Sequence, residues 1–199
     1  YFPCRFRILR SSRYNPNQTN GISHVSITRT DRGPELVKDL VSRALFVEID
    51  ATDENSVKEG VQKTVNHFGG LHGAINCAGI GSAALTVDKR GRTHNSGIWD
   101  FVMKLNAYGV FYASAHAAAA IAKGEPDEDK QRGVIINVSS EAGIEGQKGQ
   151  LAYSASKGAV IGMTLPMARD LSRFGIRVMT ICPGIVDTPL MAMANEKVR

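Results

Sequence analysis

Cysteine is scarce in this chain: Cys4, Cys77 and Cys182 stand far apart, with no CxxC pair and no Cys/His ligand spacing. That speaks against a disulfide framework and a bound metal, and it fits a reducing compartment. Long hydrophobic runs are missing as well. The longest, ASAHAAAAIA over residues 113–122, is too short for a bilayer span and is broken by His116, so no membrane segment is expected. Acid is missing from the first twenty residues, where Arg5, Arg7, Arg10 and Arg13 occur with Ser11 and Ser12. Such a bias is found in mitochondrial transit peptides and, equally, in disordered basic arms. The formal charge of +5 comes from this end, since residues 1–43 hold eight Lys/Arg against three Asp/Glu. No recognition motif accompanies these residues, so nucleic acid is not an indicated partner. Internal repeats are also absent.

What is present is an alternation of short β-branched runs with longer helix-like segments, the pattern of βαβ units around a parallel sheet. SHVSITR (23–29) predicts a strand, PELVKDLVSR (34–43) a short helix with Pro34 in its first turn, and ALFVEID (44–50) the next strand. Val57, Val61 and Val65 recur every four residues in a helix over 54–68 that the pair Gly69 and Gly70 ends. HGAINCAG (72–79) is a strand running into a glycine turn. The long helix predicted over 96–123 contains Asn106 and Gly109, poor helix residues that predict a kink. A strand follows at 134–140, a helix at about 151–174 containing Pro166, and a last strand at 176–182 that Pro183 and Gly184 stop. Residues 1–22, with one glycine, two prolines and no helical stripe, form an atypical basic segment ahead of one domain at 23–199.

Tyr153 and Lys157 are four residues apart, so on a helix they share one face. Ser140 ends the preceding strand, and in an open parallel sheet the strand ends are where ligands bind. A lysine ammonium favours the phenolate of a neighbouring tyrosine, whose phenol is otherwise a poor acid or base at neutral pH. A serine hydroxyl at the same crevice can hold a substrate oxygen in line for proton transfer. A YxxxK pair alone also occurs by chance on many helices, so its surroundings decide.

Those surroundings resemble the short-chain dehydrogenase/reductase family. NCAG (76–79) is similar to its NNAG turn, LNAYGVF (105–111) to its mid-helix asparagine motif, VSS and YSASK to its active site, and PG (183–184) to its post-strand turn. EPDEDKQRGVIINVSS and EGQKGQLAYSASKGAVIGMTLPMARDL carry a narrower similarity to that family's mitochondrial type 2 3-hydroxyacyl-CoA dehydrogenase branch. The resemblance implies a Rossmann-like α/β fold with a doubly wound parallel sheet. It implies catalytic Tyr153, Ser140 on the substrate oxygen, Lys157 holding the nicotinamide ribose as well, and Asn106 binding a relay water. It places Asp50 and Ala51 near the adenine, and Asn76, Ala78 and Gly79 along the adenosine. Pro183, Gly184, Ile185 and Thr188 fall at the nicotinamide, and Gln147 and Gln150 at the acyl pocket. Each position also has a plainer structural reading: Asp50 can close a turn, Asn106 can satisfy a kinked backbone, and Thr188 with Pro189 can start a helix. Ser139 rivals Ser140, but thirteen residues from Ser140 to Tyr153 match the family pattern.

Two features depart from the family. It calls for a first strand and a glycine-rich turn opening a helix, where backbone N–H groups cradle the dinucleotide diphosphate. Here RFRIL (5–9) alternates arginine with apolar residues, whereas a central parallel strand is apolar on both faces. Either that stretch fills the middle of the sheet imperfectly, or the half containing Asp50 docks loosely, or the sequence is an incomplete version of a longer enzyme. The family's covering helix and final strand are also missing after TPLMAMANEKVR (188–199), so the domain is expected to be C-terminally truncated. The cofactor is NAD or NADP, because Arg29 favours one and Asp31 the other; the narrower resemblance points to NAD. The expected activity is interconversion of a secondary alcohol and a ketone on a 3-hydroxyacyl-CoA or hydroxysteroid-like small molecule. Small residues on 96–123 and 151–174 predict a homodimer or homotetramer. The alternative is a non-catalytic family member acting only through that assembly.

Overall fold

The computed structural model describes Arg5–Arg10, Ser23–Thr28 and residues 44–186. The predicted helix at 34–43, Arg29, Asp31 and Thr188 lie outside the described residues. The elements are β1 (Arg5–Arg10), β2 (Ser23–Thr28), β3 (Ala44–Val47), α1 (Glu54–Phe68), β4 (Gly73–Asn76), α2 (Ser96–Met103), α3 (Gly109–Ile121), β5 (Gly133–Val138), α4 (Leu151–Ser172) and β6 (Ile176–Ile181). They follow the sequence pattern closely.

Local chemistry explains the boundaries. Asp53 caps α1 by accepting from the Asn55 N–H at 3.0 Å, and Gly69, at φ 75°, closes it with an N–H donated to Val65 O at 2.7 Å. Only glycine adopts that left-handed backbone without strain. The kink expected around Asn106 is a single π-turn, Lys104–Tyr108, joining α2 to α3. There the Gly109 N–H reaches back five residues to Lys104 O, the wider turn often found at functional sites.

Six strands form one sheet in the order β3-β2-β1-β4-β5-β6. β2 pairs with β3, β4 with β5 and β5 with β6, all parallel. The centre differs from the expected parallel frame: β1 fills the gap between β2 and β4 but runs antiparallel to both. Phe6 stands opposite Ile27 on one side and Asn76 on the other. The remaining five strands therefore end together at one edge, which also receives the start of β1.

α1, α3 and α4 make a contiguous layer over one face of the sheet. Ile121 of α3 and Ile135 of β5 are wholly buried there, with Val57, Phe68, Ile176 and Val178 around them. Two contacts fix α3 to the segment after β3. A Cβ on Gly109 would lie 2.8 Å from Ala51 O, so only glycine permits that approach, and His116 Nε2 lies 3.2 Å from Glu54 Oε1. Among the described residues no helix is long and apolar enough to cross a membrane.

Candidate active site

The strand edge and the first two turns of α4 assemble the polar groups. Ser139 and Ser140 follow β5 and have different tasks. Ser139 is buried and donates its hydroxyl to Lys157 O at 2.7 Å, tying the strand end to α4. Ser140 is half-buried, with extended backbone. Its Oγ accepts from the Ala142 N–H at 3.2 Å and so caps the short 3-10 turn at Glu141–Gly143. That bond uses a lone pair and leaves the hydroxyl proton available for a substrate oxygen.

Lys157 is 5% exposed, and its Nζ donates to Val138 O at 2.9 Å while standing 5.8 Å from the centroid of the Tyr153 ring. A buried ammonium needs such partners, since desolvating an unpaired charge is costly. The ion is thus fixed beside the phenol. Asn106, wholly buried, accepts from the Ile80 N–H at 2.8 Å and donates Nδ2 to Ile80 O at 2.9 Å and to Ser156 Oγ at 3.0 Å. Ser156 in turn donates to Tyr153 O at 2.7 Å. Both amide protons of Asn106 are committed, so its side chain clamps the loop after β4 to the backbone of Tyr153. A Cβ on Gly79 would lie 3.2 Å from Lys157 Nζ and 3.3 Å from Asn106 Oδ1, so glycine lets the loop after β4 pack close against both groups.

The other sequence-predicted positions divide. Asp50, Ala51, Asn76, Ala78, Gly79, Pro183, Gly184 and Ile185 all follow or end strands at the same edge as Ser140. Several of their side chains are engaged elsewhere. Asp50 Oδ1 accepts from the Thr52 N–H at 2.9 Å and Oγ1 at 2.8 Å, closing the turn into α1. Ala51 and Ala78 are buried. Asn76 is 1% exposed and donates Nδ2 to Ser114 Oγ at 2.9 Å and Asn137 Oδ1 at 2.8 Å. Gln147 and Gln150 line a cavity of about 700 Å³ with Leu151, Ser154, Ala155 and Gly158. On α4, Ser154 and Gly158 of that lining directly follow Tyr153 and Lys157, and Gln150 precedes Tyr153 by three residues, about one turn.

Three participants were not anticipated. Ser156 links Asn106 to Tyr153, and its position three residues beyond the tyrosine was the available signal. Asn137, in the otherwise apolar strand GVIINV, joins Ser114 and Asn76 in a buried polar cluster. Glu141 donates its backbone N–H to Pro183 O at 3.0 Å, and a Cβ on Gly184 would meet its Oε2 at 2.8 Å, so an acid stands against the turn after β6.

A tyrosine held by a clamped helix start, a buried ammonium beside it and a serine hydroxyl on the adjoining strand end can together exchange a proton with an alcohol or ketone oxygen. The family model described as short chain dehydrogenase matches residues 18–199. The chain belongs to the short-chain dehydrogenase/reductase family. It is 44% identical over 180 residues to the human 3-hydroxyacyl-CoA dehydrogenase type-2, covering 89% of this chain and 69% of that protein. The Drosophila melanogaster protein of the same name is 43% identical over 171 residues, covering 85% and 67%. A crystal structure of 3-hydroxyacyl-CoA dehydrogenase type-2 from Mycobacterium avium superposes with a TM-score of 0.78 at 38% identity, covering 85% of this chain and 67% of that one. The chain is therefore an oxidoreductase of the class that acts on CH–OH groups, in a family that typically uses NAD(P), binds small-molecule substrates and is commonly oligomeric.

Proposed function

We propose that this chain interconverts a secondary alcohol and a ketone using NAD, on 3-hydroxyacyl-CoA substrates, with hydroxysteroid-like alcohols as the second class. The supporting observation is the Lys157 ammonium, fixed by Val138 O at 2.9 Å and set 5.8 Å from the Tyr153 ring. With that cation beside it, Tyr153 takes the hydroxyl proton in oxidation and returns it in reduction. Ser140 donates its hydroxyl to the same oxygen and fixes its position. Asn106 acts through Ser156, holding the backbone of Tyr153.

The residues present suit the nicotinamide riboside part of the cofactor. The family resemblance sets the ribose against Lys157 and Tyr153, which would hold its hydroxyls, with Gly79 packed close to Lys157 Nζ and Asn106. Gly184 and Pro183 would border the nicotinamide ring. When bound, NAD supplies the hydride acceptor for the carbinol carbon.

Self-association is proposed through the outer faces of α3 and α4. A groove of about 710 Å³ there is lined by small and apolar residues, among them Ala115, Ala118, Ala159, Gly162 and Met163. Such faces permit close helix packing. A mitochondrial setting is proposed from the narrower resemblance to the family's mitochondrial branch and would be checked by cell fractionation. The test of the enzymatic reading is a fluorescence titration with NADH. Saturable binding supports it, whereas no binding favours a protein acting only through assembly.

A further inference from the structure

The residue after Ser140 is an acid, Glu141, and its backbone is held on both sides. Its N–H donates to Pro183 O at 3.0 Å, and its carbonyl accepts from the Ile144 N–H at 2.8 Å and the Glu145 N–H at 2.9 Å. The 3-10 turn that it opens packs on α4, where a Cβ on Gly143 would lie 2.9 Å from Lys157 C and 3.0 Å from Gly158 N. That turn therefore bridges α4 and the turn after β6. The carboxylate of Glu141 reaches the second of these as well. A Cβ on Gly184 would lie 2.8 Å from Oε2 and 3.3 Å from Cδ, so the lack of a side chain at Gly184 lets the carboxylate lie against the main chain there.

The site thus carries charges of both signs in different places. The buried Lys157 holds its ammonium between Val138 O and the Tyr153 ring, whereas the exposed Glu141 sets a carboxylate on the Pro183–Gly184 turn. If that turn borders the nicotinamide, the carboxylate stands against the part of the cofactor whose charge changes in the reaction. The ring is cationic when oxidised and neutral once it has accepted a hydride. A fixed negative charge beside it stabilises the first form and leaves the second almost unaffected.

We propose that Glu141 sets the preference of this chain between the two redox states of its nicotinamide cofactor, favouring the oxidised one. The inference rests on the reading that Pro183 and Gly184 border the nicotinamide ring. It is tested on the whole chain by calorimetric titration of the parent and of Glu141→Gln with NAD and, separately, with NADH. The variant keeps the size of the side chain and removes its charge. It is expected to bind NAD about fivefold more weakly, the scale of an exposed ion pair, and to bind NADH as the parent does. Raising the salt to about 1 M should shrink the parent's ratio of NAD to NADH affinity and leave the variant's ratio where it is. A purely structural role for Glu141 would weaken both nucleotides alike. Equal weakening of the two, or a ratio unchanged from the parent's, overturns the inference and leaves the cofactor reading intact. If the parent binds neither nucleotide, both fall.

Discussion

The two halves of the sheet are built differently. From β4 to β6 the strands are parallel, the helix layer is continuous, and Ser140, Tyr153, Lys157 and Asn106 all come from this half. From β1 to β3 the parallel pair β2 and β3 joins the rest only through an antiparallel strand. Proton-transfer machinery needs a single strand end, one helix start and a clamp, all within residues 80–157. A dinucleotide grip needs the direction of the first strand as well. One half can therefore keep its geometry while the seam between the halves changes.

The comparison breaks most severely at Lys157. Lys157→Met removes the ammonium but keeps a long side chain, and turnover is expected to fall about 10²–10⁴-fold, the span of general acid–base contributions. Steady-state kinetics with circular dichroism as a folding control would show it. Unchanged turnover would place the proton transfer elsewhere.

The two adjacent serines sharpen the point within the β4–β6 half. Ser140→Ala is expected to lower turnover on the order of 10²-fold with little change in melting temperature. Ser139→Ala should instead cost about 1 kcal/mol, a typical net hydrogen-bond contribution, with turnover nearly kept. Exchanged outcomes would reverse the assignment of the pair.

The seam has its own tests. Gly109→Val forces a side chain against Ala51 O, already 2.8 Å from an added Cβ, and overpacking of this kind costs about 1–3 kcal/mol. Within the β4–β6 half, Asn76→Ala should cost a similar amount, since it removes one buried partner each from Ser114 and Asn137, a loss of about 1–3 kcal/mol. Either should lower the melting temperature by about 2–4 °C per kcal/mol in a chain this long. A variant as stable as the parent would show the contact to be slack.

The smallest effect is expected far from both. The side chain of Arg92, then its backbone N–H, holds the exposed Asp88 carboxyl below the usual carboxylate range, with a further contribution from the Arg90 N–H and a small opposing effect of burial. A depressed carboxylate contributes stability above its unfolded pKa and loses it as pH falls through the folded value. An NMR titration of Arg92→Ala should move Asp88 upward, and no shift would show the pair to be idle.

Much of this was legible in the sequence. Element order followed from hydrophobic period and glycine punctuation, and the π-turn sits where Asn106 and Gly109 interrupt a helical pattern. The Tyr153, Lys157 and Ser140 constellation was visible because helix spacing and strand ends are local properties. The direction of β1 was not. RFRIL alternates whichever way the strand runs, so only pairing decides its orientation. The buried cluster of Asn76, Ser114 and Asn137 was equally hidden, because those polar residues come from three separate elements and hydrogen-bond one another only once these pack. Gln147 and Gln150 could be placed in a loop, but which face of α4 that loop covers depends on the packed structure.

The most direct measurement compares the parent chain with Tyr153→Phe, following NADH formation from NAD and a 3-hydroxyacyl-CoA alongside NADH binding. The account expects the parent to turn over and the variant to lose turnover by about 10³-fold or more while still binding NADH. A variant that turns over like the parent would contradict it.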